Sequence, residues 1–341
     1  MAFPLDQSVS FTGQQNLSGE QRALFQTLFA GEVLTEFHAK NIMMERHRVR
    51  TIQNGSSAEF PMIGTANAQY HTPGQLIEGG KIAHSKRRVT IDGLAISPVF
   101  IDKVDEAMLH YDVRSIYSKE CGIRLSELVD RNILRMAVKS ASITNESQAV
   151  SAGLEPVAGE TFTDNFTLGA VGDEIKGDKI VASIYAAVEQ FATKNISTEG
   201  LTIYLRPQQY YALFNTTDTS KMFWMNKDVG GVGSFSSGQI PTIAGLPVMM
   251  TNHLPATNDA TGGALSDSDP EWTGAAAKYR VDAGKCVALI MGKNAIATVK
   301  LFDLATEMEW QTERQGTLFL AKYAMGHNIL RPAEAIVINA A

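Results

Sequence analysis

Residues 47–64 read HRVRTIQNGSSAEFPMIG, and the way this stretch folds sets the architecture around it. Val49 and Ile52 lead into Asn54-Gly55, the dipeptide favoured where a tight hairpin turn needs positive φ. Beyond the turn, Phe60 and Met62 alternate with Glu59 and Pro61, the period of two expected of a strand with one covered face. The stretch predicts a hairpin or strand pair. A polar Gly/Pro-rich segment, HTPGQLIEGG (71–80), separates it from a further strand, SKRRVTIDG (85–93). Residues 46–92 therefore form a long two-stranded excursion with little apolar material of its own. Such an excursion needs a surface to lie on, and a lone chain offers no obvious one.

Working outward, residues 1–19 are polar and read as an extended arm. A helix follows, with Ser18 as a candidate cap and Leu24, Leu28, Val33 and Phe37 on one face. After the extended stretch LAISPVFID (94–102), spacing by three and four begins at Val113. It runs through Ile116 and Tyr117, Cys121, Leu125, Leu128 and Val129, Asn132 and Ile133, and Met136. This predicts a helix from Asp112 to about 140, interrupted mildly by Gly122, far longer than the mean of roughly 11–12 residues. Asp112 is placed to cap it, since its carboxylate accepts otherwise unpaired backbone N–H groups. Residues 144–175 read as irregular surface loop, 178–195 as an amphipathic helix, and 256–276, which carry no Lys or Arg, as another loop. Strands are expected at 201–205, 246–251, within 285–311 and towards the end of the chain.

Composition narrows the function. The 341 residues are 44% hydrophobic with a net charge of −6, enough for two core-forming units and unlike a protein built mainly to neutralise phosphates. The two cysteines, Cys121 and Cys286, form no C-x-x-C and read as buried small apolar residues. No basic region followed by an apolar run opens the chain and no long apolar stretch follows, so neither a secretory leader nor a membrane span is expected. No cofactor-binding glycine motif is present, and neither a cofactor nor a metal is expected.

Three groups of residues could carry chemistry. Glu106 and His110 have helical i,i+4 spacing, but metal binding needs a third ligand and no H-E-x-x-H occurs. Asp303, Glu307 and Glu309 share a strand face by period two. Paired carboxylates hydrolyse glycosides when their environments differ, yet an alternating acidic face is equally a solvated one or one that meets a basic partner. His84, Lys86 and Arg88 share a face with Arg87 opposite. No aromatic is interleaved for base stacking, so a protein partner is favoured over nucleic acid. The bland structural reading is preferred for the first two groups.

Several of these stretches, in order, resemble the major capsid protein of T-seven-like short-tailed bacteriophages: FAGEVLTEFHAK (29–40), residues 47–64, VTIDGL (89–94), DEAMLHYDVRSIYS (105–118), TVKLFDLATE (298–307) and AKYAMGH with LRP (321–332). Between them, DKIVASIYAAVEQF, YLRPQQYYALF and IAGLPVMMT are similar to the wider pattern of tailed-phage capsid proteins. The resemblance implies an α+β, Hong Kong 97-type capsid fold. Its parts would be an N-terminal arm (1–50), an extended β-hairpin E-loop (51–93), a peripheral domain (94–175) with the long spine helix, an axial domain (176–295), and peripheral C-terminal strands (296–341). It implies pentamers and hexamers in an icosahedral shell around double-stranded DNA, held without sequence specificity. Scaffolding protein and portal would be partners in the host cytoplasm, and the virion the final location. Contacts to neighbouring subunits are expected from Phe60, Met62, Ile63, Lys86, Arg87 and Arg88, with Asp112 as the spine-helix cap. The competing readings are an encapsulin-like compartment shell and a soluble hydrolase using the carboxylates above.

Overall fold

The computed structural model describes residues 32, 33, 35–37, 40–66, 68–77, 79–103, 113–157, 160–213, 242–258 and 276–341. Asp112, the Glu106/His110 pair and the arm through residue 31 lie outside them. In chain order the strands are β1 (Arg48–Thr51), β2 (Ser57–Ile63), β3 (His84–Thr90) and β4 (Ala95–Asp102). Helices α1 (Val113–Ala141) and α2 (Glu146–Ser151), strand β5 (Phe166–Thr167) and helix α3 (Gly177–Thr193) follow. Then come β6 (Thr202–Leu205), α4 (Pro207–Ala212), β7 (Thr242–Ile243), β8 (Leu246–Met250), β9 (Cys286–Met291), β10 (Ile296–Gln311), β11 (Gly316–Ile329) and β12 (Ala335–Asn339). The chain divides into two compact units. One holds residues 1–41, 94–129 and 302–324, and the other 42–93, 130–301 and 325–341.

In the first unit β4 pairs antiparallel with β11, from Asp102 opposite Gly316 to Ala95 opposite Tyr323. The beginning of α1 buries Cys121 and Leu125 at the expected spacing, but Ile116, expected on the same face, is 61% exposed. Gly122 does more than interrupt that helix. A Cβ there would sit 2.7 Å from the Val33 carbonyl oxygen, so the missing side chain lets the helical residues around Val33 and Phe37 pass close against α1. Val33 and Phe37 are both buried, and the Phe37 ring lies 6.4 Å from that of Tyr323. The outward side of β4 leaves Ile96 and Phe100 exposed.

The second unit is built on a six-stranded sheet of order β5-β12-β9-β6-β8-β7. All six residues of β9 are buried, which explains why its sequence, CVALIM, runs apolar without alternation. Helix α3 presents Ile180, Ile184, Ala187 and Phe191 at helical spacing to the core cluster with Ile203, Leu205, Val287, Ile290, Ile336 and Ile338. Burying each large apolar side chain contributes about 1.5–3 kcal/mol. The C-terminal part of α1 anchors the approach to β1: buried Asp130 accepts the Ile42 and Met43 N–H groups at 3.0 and 3.2 Å. The segment 144–175 is not wholly irregular, because Asn145 caps α2 by accepting the Gln148 N–H at 2.9 Å.

Candidate functional site: a hairpin with one docked face

Strands β2 and β3 pair antiparallel, with Phe60 opposite Arg87, Met62 opposite Ser85 and Glu59 opposite Arg88. Alternation along each strand sorts the side chains into two faces. Ala58, Phe60, Met62, Arg87 and Val89 are buried; Ile63, His84, Lys86 and Arg88 are exposed.

The buried face lies on the chain itself. Phe60 and Met62 join Ala58, Val89, Val157, Ala297, Val299 and Leu330 in one apolar cluster. The sequence offers no surface for the excursion because these covering residues come from three distant segments. Their convergence is a product of the fold. Phe60 and Met62, expected at a neighbouring subunit, are 4% and 6% exposed within a single chain, so they pack at home.

Arg87 differs from expectation in the same way. Its side chain is 1% exposed and its partner, Glu160, 10%. Nη2 donates to both Glu160 carboxylate oxygens, at 2.9 and 2.8 Å. Nη1 donates to the Glu155 carbonyl, and Nε to the Leu330 carbonyl at 3.4 Å. The second Glu160 oxygen also accepts the Val157 N–H at 3.1 Å. A charge taken this far from water persists only when paired and hydrogen-bonded, and here the pairing pins β3 to Glu155 and Glu160. No sequence signal links Arg87 to Glu160, which lies in a stretch that reads as solvent-facing loop.

Lys86 and Arg88 also find their carboxylate within the hairpin. Both bind Glu59, at 2.9 Å each, and these two hydrogen bonds hold the Glu59 carboxyl below its ordinary range. All three are well exposed, so water and salt weaken the cluster. The outer face therefore presents charge and Ile63, which is 63% exposed.

Beyond the strands, the Gly64 N–H donates to the Ala83 carbonyl at 2.9 Å and closes the neck of the loop 65–82. Past that neck Tyr70, Leu76 and Ile77 are 103%, 87% and 77% exposed. At the root, Lys278 Nζ reaches Asp92 at 2.9 Å and the Tyr279 hydroxyl donates to the same carboxylate. The return strand crosses β11 where a Cβ on Gly326 would sit 2.0 Å from the Thr90 carbonyl oxygen, so only glycine fits.

Beside this root lies a buried polar chain. His47 Nδ1 meets the Met43 carbonyl at 2.7 Å and can only donate there, which leaves Nε2 to accept from the Thr298 hydroxyl at 2.5 Å. Thr298 Oγ1 in turn accepts from His327 Nδ1 at 2.7 Å. The chain works with both rings neutral. Burial pushes His47 down to about 4 and His327 well below the usual histidine range.

The strand-face acids Asp303, Glu307 and Glu309 are exposed on β10, and Glu307 pairs with Lys322, as on a solvated strand. Among the described residues no group of three His, Cys, Asp or Glu could hold a metal ion. Among them, too, no helix is long and apolar enough to cross a membrane.

The hairpin is thus docked at its root and leaves Tyr70, Leu76 and Ile77 exposed past its neck. Comparison with known proteins gives the family. The family model "Gp10A-like: Major capsid protein" matches residues 59–339. The chain belongs to this family. It is 30% identical to the major capsid protein of Enterobacteria phage T3 over 336 residues, covering 96% of the chain and 94% of the relative. It is 29% identical to the major capsid protein of Escherichia phage T7 over 331 residues, covering 93% and 92%. Among solved structures, the capsid of the cyanophage P-SCSP1u superposes with a TM-score of 0.71 at 28% identity, covering 96% of this chain and 93% of that one. The fold is thus the Hong Kong 97-type capsid fold, α+β, and the role is structural: a subunit of an icosahedral phage capsid. Neither the compartment shell nor the hydrolase finds support in these likenesses.

Proposed function

We propose that the subunit assembles into pentamers and hexamers on a scaffolding protein, around a portal, in the host cytoplasm, and that the finished shell then encloses double-stranded DNA without reading its sequence. The arm (1–50), E-loop (51–93), peripheral (94–175 and 296–341) and axial (176–295) parts divide the work, with Asp112 capping the spine helix and no part acting as a catalyst. The observation that carries this reading is the division of the hairpin at its neck. The root is fixed to its own chain by Arg87 and the Phe60–Met62 cluster, while Tyr70, Leu76 and Ile77 stand in solvent. Ile63, Lys86 and Arg88 continue that open surface towards a neighbour. Modest contacts of this kind, repeated around a closed shell, give strength without any one strong interface. The negative net charge suits a container that must not grip its contents.

Electron microscopy and sedimentation of the purified protein test the proposal. Closed particles tens of nanometres across are expected. A monodisperse monomer or dimer under every condition overturns it, and particles filled with a cargo enzyme instead of DNA point to a compartment.

A further inference from the structure

The turn between β7 and β8 borders a cleft of about 410 Å³ in the second unit. Its floor is apolar, with Leu201 and Leu246 at 2% and 4% exposure and Pro247 beside them. Two cations, Arg46 and Lys293, line it. Arg87, Lys176, Lys194, Lys278 and Lys322 all pair with carboxylates of this chain. Among the described residues, Arg46 and Lys293 do not. The Arg46 guanidinium donates to Thr202 Oγ1 at a long 3.4 Å, and the Lys293 stem lies over Gly200. One carboxylate, Glu199, also lines the cleft, leaving a net charge of one positive. The turn itself holds Ala244 at φ 52°, a left-handed conformation that a residue with a Cβ seldom adopts and that persists where the surroundings hold it.

We propose that this cleft receives the acidic segment LSDSDPEW, Leu265–Trp272, of a second copy of the chain. The inference rests on the shell reading, which brings copies against one another. The match is chemical. The segment carries Asp267, Asp269 and Glu271 between the apolar Leu265 and Trp272, and residues 256–276 contain no Lys or Arg to neutralise them. Two unpaired cations over an apolar floor take carboxylates flanked by apolar side chains. The volume lies in the ordinary range for ligand sites, roughly 300–1,000 Å³, enough for a few side chains. A nucleic acid fits less well, because Glu199 faces the same space and the floor offers no ring for stacking.

Carbodiimide treatment of shells assembled from equal parts light- and heavy-nitrogen protein tests this. The reagent joins a lysine Nζ to a nearby carboxyl carbon as an amide, the carboxyl oxygen leaving with the carbodiimide as a urea. Mass spectrometry should find Lys293 joined to Asp267, Asp269 or Glu271 in mixed-isotope pairs, and K293E should remove those pairs. Links confined to a single isotope place the segment in its own chain and overturn the proposal. So does the absence of any link at Lys293 when other mixed-isotope links form. A second arm uses charge exchange. Shell yield should fall in K293E and recover when D267K, D269K and E271K are added, and failure to recover counts against the contact. Absence of shells from the unaltered protein would instead strike the shell reading itself.

Discussion

Replacing Arg87 by Met keeps an unbranched apolar stem and removes the guanidinium. Its consequence can be worked from the contacts. Glu160, with a side chain 10% exposed, would keep the Val157 N–H at 3.1 Å but lose both charged hydrogen bonds. The Glu155 and Leu330 carbonyls would lose a donor each. Truncating one partner of a buried pair costs about 3–5 kcal/mol, mostly because it strands the other charge. Adding E160Q removes that stranded charge, so the double variant should be less destabilised than the two single changes together, with a coupling of about 0.5–3 kcal/mol. Urea unfolding of unassembled subunits measures the first quantity. Hydrogen exchange in 57–63 and 84–90 should show the hairpin loosening before the rest of the second unit. A loss under about 0.5 kcal/mol, the size of an ordinary surface substitution, refutes the clamp. So does a loss seen only in assembled shells, which would put the acid that matters on a neighbour.

Phe60→Ala should cost about 3–5 kcal/mol in the same unfolding assay, through lost burial and the cavity left in the cluster. Gly326→Ala forces a methyl against the Thr90 carbonyl and should destabilise by at least the ~1–3 kcal/mol of ordinary overpacking, with faster exchange at 90–92 as the local sign. The histidine chain predicts acid lability. His47 titrates near 4 folded and near 6.5 unfolded, so the unfolded chain takes the proton first as pH falls. Stability is full above about 6.5 and declines by about 1.4 kcal/mol per pH unit, reaching roughly 3 kcal/mol near pH 4. His327, shifted in the same direction, steepens the decline. His47→Asn should flatten the profile of urea midpoint against pH, and an unchanged slope counts against this account.

Elements governed by local periodicity were legible in the sequence. The α1 stripe from Cys121 onward, the amphipathic α3 and the apolar β9 follow from spacing. The hairpin expected across Asn54-Gly55 does not form: β1 pairs parallel with β10, and β2 takes β3 as its antiparallel partner. The cap of α2 was also present as Asn145-x-x-Gln148, the spacing of a helix start, inside a stretch whose glycines and acids suggest loop. The partners of the hairpin were not legible. Val157, Ala297, Leu330 and Glu160 lie far from it in the chain, and nothing local distinguishes an arginine that points inward from one in water. Alternation places Arg87 opposite Lys86 and Arg88, but it does not tell which face is covered. Gly122 and Gly326 are similar: the sequence reveals a glycine, and only the crossing chain reveals why.

The hydrogen bond between Gly64 and Ala83 separates two regimes of tolerance to length. Within 57–63 or 84–90, one inserted residue shifts every later side chain to the opposite face, sending Arg87 outward and Arg88 into the apolar cluster. Between 65 and 82 no strand register has to be kept, and doubling a flexible loop costs only about 0.6 kcal/mol in closure entropy. Lineages of this capsid should therefore drift in length there, and foreign peptides for surface display should be grafted past the neck, never into the strands that carry it.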